Sequence, residues 1–330
     1  MRSFNQKLAI VTGGGSGMGR ELVLQLAAQG CSVATCDIND DSVAKTTAMA
    51  LADAPSGVRV TGHVCDVSDE AQVLRFRDEV VRQHECHHVD LVFNNAGIAG
   101  GGSFVTDPRA TWERTFGVDW WGVYFCTRAF LPLLIESDDS ILVNTSSING
   151  FWASLGPGIP HTAYSTAKFA VKGFSEALIE DLRLNAPQVK VAVVMPGHIG
   201  TDIVTNSQRI HDDVDPTTLS VDDLEARRAD LLRAGLLVEG SSSDDIRRVI
   251  VETRSAFNEF GNDFRDNAPL SAAGAAQIIL AGVRDGKWRI LVGDDATRLD
   301  EQVRAEPDAA YDYAGVGDEM GESIRGDVSL

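Results

Sequence analysis

Short apolar runs alternate with amphipathic stretches along most of the chain. We interpret seven of these runs as strands: Lys7–Thr12, Cys31–Cys36, Val58–Val64, Leu91–Phe93, Ser140–Asn144, Val189–Val194 and Trp288–Val292. Polar and apolar residues do not alternate along these runs, as they would in a sheet with one solvent-exposed face. This favours a sheet covered on both faces. Strands that alternate with helices need crossover connections and therefore form a parallel sheet. The pattern predicts an α/β fold with a doubly wound parallel sheet and helices on both faces.

The pattern also predicts one domain with two additions. Residues 1–202 and 270–300 form the predicted body, and Ser271 is expected to cap a helix that runs to about Arg284. Residues 203–269 are acidic and helix-like with little strand signal, which predicts a helical insertion. Residues 301–330 are rich in Gly, Asp and Glu towards their end, which predicts an acidic tail.

The net charge and the cysteines restrict the classes of binding partner and the cellular compartment that we expect. The formal net charge of −19 argues against nucleic acid and anionic membranes, since both would be repelled. The five cysteines are scattered and lie mostly in apolar runs, as expected of reduced residues in a cytoplasmic protein. We therefore expect a cytoplasmic protein with a small-molecule partner.

The glycine-rich stretch Thr12-Gly13-Gly14-Gly15-Ser16-Gly17-Met18-Gly19 lies between the first strand and the first helix. Glycines there let the backbone close tightly and approach a pyrophosphate, as in a Rossmann-type dinucleotide-binding unit. A merely flexible loop is the alternative. Asp37 ends the second strand, where an acid can bind the adenosine ribose, and no Lys or Arg follows in Ile38-Asn39-Asp40-Asp41. These residues favour NAD over NADP.

A second motif, Tyr164-Ser165-Thr166-Ala167-Lys168, opens a predicted helix. The spacing of four places the phenol and the ammonium on one face, about one turn apart. A nearby cation lowers the pKa of a phenol by favouring the phenolate, and proton transfer to or from an alcohol needs such a group. Alone, this pair also occurs by chance on many helices.

Taken together, the motifs resemble the classical short-chain dehydrogenase/reductase family. The resemblance covers about residues 4 to 202 and resumes more weakly near 271–293. It rests on five stretches in the family's order: Thr12-Gly-x-x-x-Gly-x-Gly19, Asn94-Asn95-Ala96-Gly97, Asn144-Thr145-Ser146-Ser147, Tyr164-x-x-x-Lys168, and Pro196-Gly197 with Thr201.

The resemblance implies a role for each matching residue. Tyr164 would be the acid/base, Lys168 would lower its pKa and bind the nicotinamide ribose, and Ser147 would hydrogen-bond the reacting oxygen. Asp66 would contact the adenine amino group with Val67 beside the ring. The implied cofactor-binding set is Gly13, Ser16, Gly17, Met18, Gly19, Asp37, Ile38, Asp66, Val67, Asn94, Ala96, Gly97, Tyr164, Lys168, Pro196, Gly197, Ile199 and Thr201.

One position departs from the family. The family has Asn in a Val-Asn-x-x-Gly context, where it helps to hold a water in the proton relay, and this chain has Val118-Asp119-Trp120-Trp121-Gly122. We keep Asp119 as a catalytic relay residue. Its charge would raise the pKa of Tyr164 if it were close and ionised.

The segment 203–269 is more than twice as long as the resemblance leads us to expect, and in the family it folds over the substrate. It contains many apolar residues, which suggests a bulky hydrophobic substrate, although these residues could also pack the segment's own helices. His161 is a candidate to line the substrate cavity. The cluster His84-Glu85-Cys86-His87-His88 has no second ligand group at a recognisable spacing, so we predict loop residues and no metal site.

These observations predict an NAD-dependent oxidoreductase that interconverts a hydrophobic secondary alcohol and its ketone. A non-catalytic nucleotide-sensing protein with the same fold is the alternative, and the four-residue spacing from Tyr to Lys disfavours an enoyl reductase. By resemblance we also expect a homodimer or homotetramer, paired through the helices near 111–134 and 161–185.

Overall fold

The computed structural model of the protein describes residues 3–312 apart from residues 157 and 213. Its strands are β1 (Leu8–Thr12), β2 (Ser32–Asp37), β3 (Val60–Val64), β4 (Leu91–Asn94), β5 (Ser140–Thr145), β6 (Val189–Pro196), β7 (Ile199–Gly200), β8 (Leu270–Ser271) and β9 (Arg289–Val292). Its helices are α1 (Gly17–Ala28), α2 (Asp40–Asp53), α3 (Glu70–His84), α4 (Arg109–Phe116), α5 (Gly122–Ile135), α6 (Thr162–Asn185), α7 (Ile203–His211), α8 (Val221–Arg233), α9 (Ser243–Asp266), α10 (Ala272–Arg284) and α11 (Asp294–Ala305).

Seven strands form one parallel sheet in the order β3-β2-β1-β4-β5-β6-β9. This confirms the predicted α/β Rossmann-type fold, and each predicted strand lies within two residues of an observed one. The chain order reverses between β1 and β4. In open parallel sheets, ligands bind at the carboxyl ends of the strands beside such a switch point.

The apolar runs predict the strands well because both faces of the sheet are covered. Every residue of β1 is buried. Ala9 and Val11 enter the core layer under α1 and α10, whereas Leu8 and Ile10 enter the opposite layer, which includes Phe130 of α5. A strand buried on both faces has no place for polar alternation.

Three helices, α7 to α9, occupy the segment 203–269, which we call the lid segment. Both α8 and α9 begin with a capping box, in which Ser220 pairs with Asp223 and Ser242 pairs with Asp245. The short strands β7 and β8 pair with each other and so hold the two ends of the segment together. The lid segment therefore leaves and rejoins the body at one place, just beyond the end of β6.

The carboxyl-terminal part differs from the predicted acidic tail. The helix α11 continues to Ala305, and further on the Trp152 Nε1 group donates a hydrogen bond to the Ala310 carbonyl (2.6 Å). The Ala153 amide donates to the Tyr311 hydroxyl (3.0 Å). The prediction of a tail is wrong for residues 301–312 because they pack on the body, and residues 313–330 lie outside the described part. None of the helices described is long and apolar enough to cross a membrane.

Candidate active site

The glycine turn joins β1 to α1 at the switch point of the sheet. Gly13 and Gly17 have φ angles of +68° and +51°, in the left-handed region that favours glycine. A Cβ on Gly13 would lie 2.8 Å from the Ala96 Cα, and one on Gly19 would overlap the Gly13 carbonyl. Ser16 precedes α1 without capping it through its side chain. The first amide groups of the helix are therefore available to an anion.

Asp37 lies across from this turn, at the carboxyl end of β2. Its Oδ2 accepts a hydrogen bond from the Gly15 amide (2.9 Å), and its Oδ1 accepts one from the Asn39 amide (3.1 Å). The next side chain, Ile38, is exposed. The structure thus brings a carboxylate to the side of the glycine turn, as the sequence predicts.

Asp66 follows β3 and is already held by protein donors. Its Oδ1 accepts hydrogen bonds from the Ser68 amide (3.0 Å) and hydroxyl (2.6 Å), and its Oδ2 accepts one from Arg114 Nη1 (2.8 Å). Burial favours a higher pKa for Asp66, but these bonds outweigh it and hold the pKa below its usual value. Val67 is buried and would contact any Cβ on Gly122. Sequence reasoning missed Arg114, which comes from α4.

Hydrogen bonds to residues of β1 and β5 hold the end of β4 and the segment that follows it. The Thr12 hydroxyl accepts hydrogen bonds from the Asn95 and Ala96 amides, both at 3.0 Å. The Asn94 side chain is buried and donates to Asn144 Oδ1 (2.8 Å). The structure therefore places the Asn94 side chain between β4 and β5, where it supports the floor of the site and does not line it.

Ser147, Tyr164 and Lys168 come together at the carboxyl end of β5. The Lys168 Nζ lies 5.2 Å from the centre of the Tyr164 ring and donates to the Thr145 carbonyl (3.2 Å). Ser147 follows β5 and lowers the pKa of the neighbouring Tyr164, while its Oγ accepts a hydrogen bond from the Asn149 amide (3.1 Å). Lys168 and Ser147 are both buried. The predicted catalytic set therefore exists as one cluster.

Asp119 joins this cluster from a five-residue π-helical turn, Gly117–Trp121, between α4 and α5. Its side chain is fully buried, and its Oδ1 lies 3.6 Å from the Lys168 Nζ. The Ile98 amide donates to the same oxygen (3.0 Å), whereas Oδ2 is buried without a hydrogen-bond partner in the described structure. Single π turns inside helices occur often at functional sites. Here the turn aims a carboxylate at the lysine.

These neighbours set the protonation of the cluster. Burial raises the pKa of Asp119 to about 6, although the charge of Lys168 opposes the change. Burial also raises the pKa of Tyr164; Lys168 and Ser147 lower it, but the charge of Asp119 raises it further. Burial alone would lower the pKa of Lys168, yet Asp119 and Tyr164 hold it above its usual value. The resemblance implies that Lys168 depresses the Tyr164 pKa, and in this chain burial and Asp119 outweigh it.

The stretch from Pro196 to Thr201 closes the site after β6. The Gly197 amide donates to the Val292 carbonyl (2.9 Å), and the Asp295 carboxylate packs so closely on Gly197 that a Cβ there would overlap it. The Ile199 side chain is buried in the core, and a Cβ on Gly17 would lie 3.1 Å from Thr201 Cγ2. The end of β6 therefore meets the glycine turn directly.

The lid segment lies against both sides of this region. The Asn206 side chain donates to Ser16 Oγ (3.2 Å), and the Ala99 amide donates to Ser207 Oγ (2.7 Å). The His211 Nε2 lies 2.9 Å from the Ala99 carbonyl. Helix α7 thus spans from the glycine turn to the loop after β4. Several apolar residues of the segment pack on one another instead of on the site, among them Leu231, Leu232 and Leu237.

A cavity of about 760 Å³ lies against the start of α6, and Ser147, Tyr164 and Lys168 are not among its lining residues. Its wall is mainly apolar and includes Ile159, Pro160 and Phe169. His161 lines it too, and the His161 ring lies 4.6 Å from the Tyr164 ring, centre to centre. Burial lowers the pKa of His161 to about 4, so the imidazole is neutral at physiological pH. His161 therefore contacts both the cavity and the Tyr164 ring.

The histidine cluster at 84–88 is elsewhere. His84 ends α3, with its Nε2 2.9 Å from Thr61 Oγ1, so it is not a loop residue, whereas His87 and His88 are exposed. In the described ranges, no group of three or more His, Cys, Asp or Glu side chains is placed to hold a metal ion.

Comparison with known proteins agrees with this geometry. The family described as short chain dehydrogenase matches residues 7–211. SadH of Mycobacterium tuberculosis is 37% identical over 304 residues, which cover 92% of this chain and 92% of that protein. The likeness therefore includes the lid segment as well as the body.

Solved structures share the fold. A short chain dehydrogenase/reductase from Burkholderia phymatum in complex with NAD matches with a TM-score of 0.71 at 24% identity, over 94% of this chain and 95% of that chain. A metagenomic short-chain oxidoreductase in complex with NADP matches with a TM-score of 0.52 at 27% identity, over 59% of this chain and 83% of that chain. The two structures hold different dinucleotides, so the choice between them rests on the residues around Asp37.

Proposed function

Because the chain belongs to the short chain dehydrogenase family of oxidoreductases, we propose that it is an NAD(H)-dependent enzyme interconverting a hydrophobic secondary alcohol and its ketone. The observation that carries this proposal is the cluster of Tyr164 with the buried Ser147 and Lys168 at the carboxyl end of β5, close to the glycine turn. A protein that only sensed nucleotides would have no need of a phenol between a serine and an ammonium. The regulatory alternative is therefore not favoured.

The residues around the switch point fit a nicotinamide dinucleotide. The close contacts of Gly13 and Gly19 leave a cradle that side chains would fill, and the start of α1 offers its amides to a pyrophosphate. Asp37 is placed to accept hydrogen bonds from the adenosine ribose. A 2'-phosphate would meet that carboxylate with no Lys or Arg in the following residues, which supports NAD over NADP.

We propose the remaining cofactor contacts as the family resemblance implies them. Asp66 and Val67 would hold the adenine, while Ala96 and Gly97 would form the floor beneath the ribose and nicotinamide. Gly197 and Thr201 would hold the carboxamide end, close to Gly17. Lys168 would bind the nicotinamide ribose. The dinucleotide held by these residues would supply the hydride chemistry, as hydride acceptor in alcohol oxidation and hydride donor in ketone reduction.

The protein's own residues handle the proton. In alcohol oxidation, the Tyr164 phenolate takes the proton of the substrate hydroxyl while Ser147 hydrogen-bonds the same oxygen. In ketone reduction, the Tyr164 hydroxyl returns the proton. Lys168 supports the phenolate by its charge, and Asp119 fixes Lys168 while opposing part of that effect. Asp119 is therefore a positioning residue that tunes the phenol.

A bulky apolar substrate is part of this proposal, since the wall of the cavity that His161 lines is mainly hydrocarbon and the His161 ring contacts Tyr164. The contacts of α7 with both sides of the cleft support the role of residues 203–269 as a lid over the substrate. Pairing of two or four copies through α4, α5 and α6 is also part of this proposal, as is the cytoplasmic location predicted from the sequence.

A screen of hydrophobic secondary alcohols tests this proposal. The absorbance of the reduced dinucleotide is measured with NAD and, in parallel, with NADP. We expect NAD reduction with bulky substrates and little with short ones. If the purified protein binds NADH but turns over none of a broad panel in either direction, the non-catalytic alternative gains.

A further inference from the structure

The cavity against the start of α6 lies next to the point where the described chain ends. Ile159 and Phe169 in its wall are 37% and 42% exposed, so the cavity leaves apolar side chains in contact with solvent. Ala153 also lines it, and the Ala153 amide donates a hydrogen bond to the Tyr311 hydroxyl (3.0 Å). Residues 313–330, which we call the end segment, begin two positions after Tyr311 and therefore close to the rim of the cavity.

The cavity also holds a hydrogen-bonding group that the described chain leaves unused. Ser165 lines the cavity and is only 3% exposed. Its Oγ is buried with no hydrogen-bond partner in the described structure. Leaving a buried hydroxyl unpaired costs free energy, and most such groups in folded proteins have a partner. The Ser165 hydroxyl therefore points to an occupant that carries a hydrogen-bond acceptor.

The end segment has a sequence suited to such a cavity. Its apolar residues recur every four positions, at Val316, Met320, Ile324 and Val328, and we call these four residues the apolar stripe. A spacing of four places side chains on one side of a helix and also on one side of an extended chain. No residue described in the wall of the cavity is acidic, so the acidic residues between the stripe positions would meet no like charge there.

We infer that the end segment docks along the open side of this cavity in the same chain. The apolar stripe covers Ile159 and Phe169, and an oxygen of the segment accepts a hydrogen bond from Ser165. The segment has 18 residues. An extended chain covers about 3.3 Å per residue, so the segment is long enough to cross the opening. The docked segment forms an outer wall of the cavity, and docking needs neither dinucleotide nor substrate.

Photo-crosslinking of the full chain tests this docking. Ile159 is replaced by p-benzoylphenylalanine, and the crosslinked peptides are identified by mass spectrometry. We expect crosslinks to residues 313–330. The control is the same replacement at Leu51, which is exposed on α2 beside β3, at the opposite edge of the sheet from β9. It should give no crosslink to the end segment. A mixture of isotope-labelled and unlabelled protein shows whether a crosslink joins one chain or two.

Two variants of the end segment separate docking through the apolar stripe from chance proximity. Met320→Asp combined with Ile324→Asp is expected to lower the crosslink yield about tenfold, because both side chains lose the free energy of apolar burial. Gly321→Asp combined with Ser323→Asp adds the same charge at neighbouring positions outside the stripe. This matched control should keep the wild-type yield.

Hydrogen–deuterium exchange gives a second readout that leaves the folded body unsubstituted. The amides of residues 153–162 should exchange faster in the Met320→Asp, Ile324→Asp protein than in the wild-type protein, and at the wild-type rate in the control. Crosslinks from position 159 that reach only other parts of the chain, or only a second copy, would overturn the inference. Equal exchange in all three proteins would overturn it too. The proposed function would stand in each case, because the reaction does not require the end segment.

Discussion

The Asp119 carboxylate lies 3.6 Å from the Lys168 ammonium, and one of its oxygens is buried with no partner in the described structure. At this position the family resemblance implies an Asn, whose amide carries no charge. A buried charge beside the lysine compensates the charge that activates the phenol. The pKa of Tyr164 therefore depends on both residues, because Lys168 lowers it and Asp119 raises it.

Asp119→Asn is expected to lower the pKa of Tyr164, because it removes a negative charge that raises it. Alcohol oxidation needs the phenolate, so its rate rises with pH as Tyr164 ionises. The rising limb of kcat/KM against pH should therefore move to lower pH. Asp181→Asn, on the exposed side of α6, is the control and should leave the limb in place. A limb that stays in place or moves to higher pH in Asp119→Asn would contradict this account.

Gly97→Ala is expected to separate Asp119 from Lys168. The new Cβ would lie 2.8 Å from Asp119 Oδ1 and 3.2 Å from the Lys168 Nζ, and a fully buried carboxylate has little room to retreat. We expect kcat to fall about 100-fold, as for a small misplacement of catalytic groups. Gly173→Ala is the matched control, since beyond its chain neighbours and the backbone of its own helix no atom would lie within 4 Å of the new Cβ. Similar activity in Gly97→Ala and Gly173→Ala would show that the contact between Asp119 and Lys168 is unimportant for catalysis.

Asp37→Ala is expected to change the cofactor preference. It removes the acceptor for the ribose hydroxyls and the charge that repels a 2'-phosphate, so NADH should bind about tenfold more weakly and NADPH more tightly. Dissociation constants for both dinucleotides check this expectation. Asp40→Ala removes a neighbouring exposed acid and should change neither. A variant that keeps the wild-type preference would remove the argument for NAD.

The sheet could be predicted from the sequence because its strands are buried on both faces and read as apolar runs. The glycine turn and the pair of Tyr164 and Lys168 were visible for a related reason, since each depends on local spacing. Helix α11 also left a signal: Ala296, Leu299 and Val303 recur at helical spacing and pack near Trp152. The acidic residues around them mask this helical pattern, so the sequence predicts a tail from residue 301 instead.

Contacts between distant parts of the chain left no such signal. Arg114 meets Asp66 from 48 residues away, and the Asp295 carboxylate accepts the His198 amide hydrogen bond (2.6 Å) from 97 residues away. The direction of the Tyr164 pKa was also beyond the sequence, because it depends on how burial and Asp119 balance Lys168. Such balances follow from distances that only the folded chain defines.

Tyr164→Phe tests the central claim most directly, through turnover and NADH binding measured on the same preparation. The account predicts that kcat falls about 100- to 10,000-fold, because no other side chain replaces the phenol, while NADH binds as before. Tyr124→Phe, which removes a hydroxyl on α5, should retain full activity. A Tyr164→Phe protein that turns over substrate at the wild-type rate would contradict the account.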